Sequence, residues 1–245
     1  MLEIKMQSRS SNSNQIDEQL LNNFMLKALG DVASSMSSML TILGERLGLY
    51  RALTEYGPLT SEELAIKTGT HERYVREWLA NQAAGGYINF DSTNEKFTLP
   101  LEQAMVLADE SSPVYIHGAY QTIKSLFKDE EKFVEMFKTG KGLRWGEHHQ
   151  DLFDGTARFF KPNYVGNLVK SWIPSLDGME QKLKGGAKVA DVGCGYGIST
   201  ILMARAYPNS QFFGFDNHTP SIEKAKEKAK KDGVTENLEF RCFSK

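Results

Sequence analysis

Two cysteines, Cys194 and Cys242, are too few for a disulfide framework, which excludes the small secreted scaffolds and leads us to expect a reduced, cytoplasmic setting. No apolar run approaches the ~18 residues of a membrane span. The N-terminus also lacks the basic-then-apolar order of a secretion signal, so no membrane partner is expected. An excess of charge of one sign is missing as well. With 29 basic and 31 acidic residues the net charge is −2, which gives no electrostatic reason to bind nucleic acid or anionic lipid. What remains is ordinary for a soluble globular protein: 40% hydrophobic and 24% charged residues in 245, enough for one large or two modest domains.

The most informative stretch runs from Lys188 to Ser199. Val189, Ala190 and Val192 form a short apolar strand, glycine then occupies positions 193, 195 and 197, and Ile201, Leu202 and Ala204 begin a helical pattern. Glycines permit φ > 0 and close approach of a ligand to the backbone. The helix that follows presents unpaired N–H groups and a positive dipole end. The spacing is not the G-x-G-x-x-G of a dinucleotide fold, because the sixth position is Ile198 and the third glycine comes one residue early. Asp191 stands two residues before the first glycine, and Gln211–Asp216 reads as the next strand, ending in an acid 23 residues beyond Gly193.

Strand, glycine loop, helix, strand and acid in this order, with the pattern [DE]-x-G-x-G-x-G, resemble the class I S-adenosylmethionine-dependent methyltransferases. The resemblance implies that Asp191 and the loop Gly193, Cys194, Gly195 and Gly197 hold the methionine end of S-adenosylmethionine. Asp216 would accept hydrogen bonds from the ribose hydroxyls, with Asn217 beside it. Cys194 is read as a small filler rather than a nucleophile. A βαβ unit without ligand is the plain alternative.

Upstream, residues 1 to 18 are rich in Ser, Asn and Gln and are expected to form a flexible tail. Leu20 to Leu53 carry apolar residues at helical spacing and predict two helices with a break near Gly44 or Gly48. Within them, Ser34-Ser-Met-Ser-Ser-Met39 suits either a subunit contact or core packing. Thr60 or Ser61 caps a short helix ending at Gly69. Thr70 or His71 starts another that stops at Gly85-Gly86, and residues 87–90 and 96–99 read as a hairpin. This is a winged-helix pattern. Arg73 and Arg76 are offset by Glu72 and Glu77, so the recognition-position helix is near neutral and DNA is not the expected partner. Leu49-Tyr-Arg-Ala-Leu53, Leu59-Thr-Ser-Glu-Glu-Leu-Ala65 and Tyr74-Val-Arg-Glu-Trp-Leu79 resemble the N-terminal domain of two-domain small-molecule methyltransferases. There the winged helix builds a dimer, which implies a homodimer through the N-terminal helices and a small-molecule methyl acceptor.

Residues 101–183 read as a helical connector containing Trp145-Gly-Glu-His-His-Gln-Asp-Leu-Phe153. Adjacent histidines point to different faces of a helix, which makes a shared metal site awkward. By resemblance the connector covers the cofactor cleft, so Trp145 and His148 are candidates for the substrate pocket, and His148 or His149 for a general base. Ordinary interdomain packing is the competing reading. Phe159, Phe160 and Tyr164 are expected in the core, and the lysines of 224–231 on a solvated face. The fold expected is therefore α/β plus an all-α winged helix, with a tail (1–18), a winged-helix domain (19–100), the connector (101–183) and a partial, three-strand Rossmann-like domain (184–245). The resemblance ends at the third of seven strands. A fragment of a longer protein is the favoured reading, a half-sheet completed by another chain the second, with weak cofactor binding and little turnover by this polypeptide alone. The functional alternative is a non-catalytic dimerisation or binding protein that keeps part of a cofactor site.

Overall fold

The computed structural model describes residues 16–243, so the expected tail up to residue 15 lies outside the described residues. Helix α1 (Glu18–Arg46) starts where the Asp17 carboxylate accepts the N–H groups of Gln19 and Leu20. It breaks at Gly48, whose φ of 72° is left-handed, and α2 (Leu49–Tyr56) follows. Gly44 stays helical and serves a different need: a Cβ there would lie 2.4 Å from the Trp78 ring. Only the C-terminal end of α1 packs on the protein. Leu20, Phe24, Leu29 and Met36, farther back, are exposed.

The winged helix forms as its local signals dictate. Thr60 and Glu63 make a reciprocal capping box at α3 (Ser61–Thr68), which ends at left-handed Gly69. His71 precedes α4 (Glu72–Ala84), and strands β1 (Asn89–Asp91) and β2 (Lys96–Thr98) pair antiparallel in the register Phe90↔Phe97. Leu49, Tyr50, Leu53, Leu64, Leu79 and Ile88 fill the core of this unit.

The connector comprises α5 (Leu101–Leu107), α6 (His117–Lys128), α7 (Glu130–Thr139), a 3₁₀ turn (Trp145–Glu147) and α8 (Gln150–Asn163). Two residues after Pro162 the chain widens into a π-helix (Tyr164–Trp172), as suits a helix that has lost one backbone donor. Helices α6 and α8 cross with their backbones in contact at Gly118 and Gly155.

After α9 (Met179–Gly185) come β3 (Lys188–Val192), α10 (Ile198–Ala206), β4 (Gln211–Asp216), α11 (Thr219–Lys231) and β5 (Leu238–Cys242). The strands are parallel in the order β3-β4-β5, with Lys188 opposite Gln211 and Phe212 opposite Leu238. Phe212, Ile201, Ala204, Ile222, Ala225 and Phe240 make a second core. The outer edge of β3 has no partner strand among the described residues, and Val192 on it is 74% exposed.

One expectation needs correction and another needs an addition. Phe160 and Tyr164 are not core residues: both are partly exposed and face a cleft beside the sheet, and Phe159 is partly exposed as well. Lys224 lies on an exposed face, as expected, and its ammonium in addition bonds Asp154 of α8 at 2.8 Å. Helix packing brings the two together across 70 residues of sequence, and no local periodicity encodes that.

Candidate functional site

The three loop glycines are all left-handed, with φ of 78°, 53° and 69° at Gly193, Gly195 and Gly197. They serve two purposes. A Cβ on Gly193 or Gly195 would meet nothing within 4 Å, whereas one on Gly197 would lie 2.3 Å from the Phe240 ring. The first two glycines therefore keep a space open, and the third lets the sheet and helix close together.

The loop is pinned to the end of β4. Gly193 and Cys194 donate their N–H groups to the Phe215 carbonyl at 2.7 and 3.0 Å. The Asp216 carboxylate then accepts the Gly195 N–H at Oδ2 and the His218 N–H at Oδ1, both at 2.9 Å. Asp216 is 8% exposed, so these bonds hold one orientation of a buried charge. A carboxylate has about four acceptor positions, and two are left for a ligand. Asp191 is fixed differently: its Oδ2 accepts the hydroxyls of Ser199 and Thr200 at 2.7 Å each.

A cleft of about 610 Å³ opens beside the loop. Asp191, Gly193, Cys194, Gly195, Asp216 and Asn217 line it, together with Trp145, Phe153, Phe160 and Tyr164 from the connector. Phe215 and Phe243 complete an aromatic wall. The two charged side chains of the lining are carboxylates, Asp191 and Asp216. Burial, reinforced by these two carboxylates, pushes the Cys194 thiol up to about 12, so it stays protonated and acts as filler near Gly214.

The two connector histidines lie outside this lining. His148 Nδ1 is 3.2 Å from the carboxylate of buried Asp129, which also accepts the His149 N–H at 2.7 Å. His149 Nδ1 accepts the Asp151 N–H and caps α8. The expectation that His148 lines the pocket, and that either histidine handles a proton there, is therefore corrected. The start of α8 and Asp129 consume both, because capping by His149 and the contact of His148 with Asp129 turn the rings toward α6 and α7. Burial would raise the Asp151 carboxyl, but hydrogen bonds from Lys128, Lys124 and Gln121 hold it well below the usual carboxylate range.

The sequence reading missed a group that ties α8 to the loop. Tyr196, between the second and third glycines, donates its hydroxyl to Asp154 Oδ1 at 2.6 Å and accepts from Gln150 Nε2 at 2.8 Å. Lys224 donates to the same Asp154 oxygen, and its ammonium lies 4.6 Å from the centre of the Tyr196 ring. One residue away, Phe153 stacks on His218 with ring centres 4.2 Å apart. A bulky phenol inside a glycine loop was the one visible hint. Nothing local announced Asp154, Phe153 or His218.

Comparison with known proteins bears on the fold. Residues 35–109 match the family profile described as "Rv2258c-like winged HTH domain", and residues 183–243 match the "Methyltransferase domain". The N-terminal part of the chain is thus similar to a winged helix-turn-helix domain and its C-terminal part to part of a methyltransferase domain. A search of curated protein sequences found no match. Among solved structures, the fold resembles a putative O-methyltransferase from Nostoc punctiforme (TM-score 0.64, 21% identity, 94% of this chain and 66% of that one). It also resembles PigF with SAH (0.63, 15%, 89% and 66%) and the mitomycin 7-O-methyltransferase MmcR (0.61, 18%, 92% and 68%). These likenesses establish the fold. The chain spans about two thirds of the length of these relatives, 66–68%.

Proposed function

We propose that this chain is an S-adenosylmethionine-dependent methyltransferase, or the cofactor-binding part of one, acting on a small molecule. The observation that carries the reading is the cleft itself. Two glycines keep it open, a backbone-clamped carboxylate has acceptor positions to spare for a diol, and among the described residues no lysine or arginine is in its lining. A pyrophosphate would meet two carboxylates there, whereas a ligand with net positive charge is favoured. Its volume is also within the usual range for a small-molecule site.

The cofactor supplies an activated methyl group on a sulfonium, and the protein's task is alignment. Asp216 would hold the ribose hydroxyls and Asn217 would stand beside it. Asp191, steadied by Ser199 and Thr200, would sit at the methionine end with the loop backbone of Gly193, Cys194 and Gly195, whereas Gly197, also expected there, packs against Phe240 and is outside the cleft lining. Trp145, Phe153, Phe160 and Tyr164 give an apolar wall on which an acceptor or the sulfonium can rest. No histidine lines the cleft among the described residues, so the reading assigns no general base.

The winged helix is read as structural. Arg76 is bound by Glu72 and Arg73 by Glu77, which leaves α4 little charge to offer phosphates. Over Glu18 to Met36 the long helix α1 is exposed on every side, although Leu20, Leu21, Phe24, Leu29 and Val32 are apolar. Such a helix is marginal alone in water, and a second copy of the chain would cover it. Light scattering is expected to give a dimer, and F24D combined with L29D a monomer. We place the protein in the cytoplasm, in keeping with its two free cysteines.

Calorimetric titration with S-adenosylhomocysteine tests the main reading. Micromolar binding is expected. Absence of heat at millimolar ligand would reject it in favour of a non-catalytic dimerisation protein.

A further inference from the structure

One turn at the start of α8 touches the methyltransferase half at two points, and each lands beside an N–H group that orients Asp216. Asp154 reaches Tyr196, the residue after Gly195, at 2.6 Å. Phe153 lies flat on His218, whose own amide holds Asp216 Oδ1. Lys224 comes in from α11 and joins the first contact, 2.8 Å from Asp154 Oδ1 and 3.1 Å from the Tyr196 hydroxyl. Gln150 donates to both oxygens. Three elements (α8, the glycine loop and α11) thus meet at one phenol and one carboxylate oxygen. Tyr196 and Phe153 line the cleft, while Asp154 and Lys224 stand outside its lining.

We propose that Tyr196, Asp154 and Lys224 form a clasp that fastens the wall of the cleft to the glycine loop, making them positioning residues that set how long the cofactor is retained. The inference rests on the cofactor reading above.

Its physical basis is that α8 is located without the clasp. On the connector side, the glycine crossing with α6 sets the helix. On the other side, the second core does not include Tyr196, Asp154 or Lys224. Removing the clasp would therefore leave both packed units intact and change only how firmly they are fastened across the cleft. Burial would raise the Asp154 carboxyl, but Lys224, Tyr196 and Gln150 hold it below its ordinary value. Burial would lower the Lys224 ammonium, but Asp154 and Tyr196 keep it raised. The pair is accordingly charged throughout the neutral range, and the clasp is closed by charge-assisted bonds.

The test is stopped-flow measurement of S-adenosylhomocysteine association and dissociation, followed through intrinsic tryptophan fluorescence, to which Trp145 in the cleft contributes, for the full chain and for Y196F, D154N, K224M and the double variant Y196F/D154N. Each single variant is expected to release the ligand about 10-fold faster, with association changed less than about 2-fold. The double variant should be no faster than the worse single one, because both substitutions break the same contact. K228M, on the same helix but paired with Asp232, serves as the control and should dissociate like the unaltered chain. Dissociation within 2-fold of the unaltered protein in Y196F and D154N overturns the clasp and leaves the cofactor reading standing. Additive effects with a matching loss of thermal stability overturn it too, since general loosening would then be the cause. If the unaltered chain binds no S-adenosylhomocysteine, the cofactor reading itself falls, and the clasp with it. K224M acts from outside the loop and keeps the test decisive should Y196F fold poorly.

Discussion

Replacing Asp216 with alanine is expected to weaken S-adenosylhomocysteine binding by at least ~100-fold, the largest binding effect of any single change in the cleft. Two losses combine. The ligand's two ribose hydroxyls lose a charged acceptor, and hydrogen bonds to a charged group contribute roughly 1.5–3 kcal/mol each. The N–H groups of Gly195 and His218, which meet this carboxylate at 2.9 Å, also lose their partner, so the loop loosens. Asparagine keeps one acceptor oxygen but puts an NH₂ where an N–H already points. D216N should therefore fall between the two, about 10-fold weaker than the unaltered chain. Calorimetry gives the affinities, and urea unfolding gives the accompanying loss of stability, about 1–3 kcal/mol for two unpaired amides. Unchanged affinity in D216A would show that this carboxylate does not touch the ligand.

The largest effect on stability is expected at the crossing of α6 and α8. A Cβ at Gly118 would lie 2.3 Å from the Phe159 nitrogen, 2.6 Å from the Gly155 carbonyl oxygen and 2.7 Å from the Phe159 Cα. All three are backbone atoms and cannot rotate away, so one helix must move bodily. G118A should cost about 3 kcal/mol, at the upper end of overpacking. G155A meets the Gly118 oxygen and the Thr122 nitrogen at 2.8 Å and should cost slightly less. Gly30 supplies the contrast. It sits in the exposed part of α1 with nothing within 4 Å of a would-be Cβ. G30A should stabilise by roughly 0.5–1 kcal/mol, because alanine is the better helix former. Equilibrium urea unfolding of the three variants checks the ranking. Because α8 carries Phe153, Thr156, Ala157 and Phe160 into the cleft, G118A should also weaken S-adenosylhomocysteine binding without touching it.

The features legible in the sequence are those that a single residue or a short pattern imposes on its own backbone. The left-handed glycines at 193, 195 and 197, the Thr60–Glu63 capping box, the Gly69 stop and the two-strand hairpin belong to this class. So does the acid closing the second strand of the α/β unit, because strand alternation and length fix where its side chain emerges. The histidines at 148 and 149 mark where this legibility fails. Residue type suggested chemistry, but the rings were claimed by Asp129 and by the start of α8, which are contacts settled by how α6, α7 and α8 pack.

Sequence by itself determined the winged-helix and glycine-loop elements and the position of the candidate cofactor carboxylate, because φ > 0, capping and periodicity are satisfied within a few neighbouring residues. Tertiary structure alone decided which connector side chains face the cleft, why Gly118 and Gly155 are needed, and that Asp154, Tyr196 and Lys224 meet. Those outcomes depend on the distance and rotation between helices far apart in the chain, and each such pair is selected by the packing of everything between them.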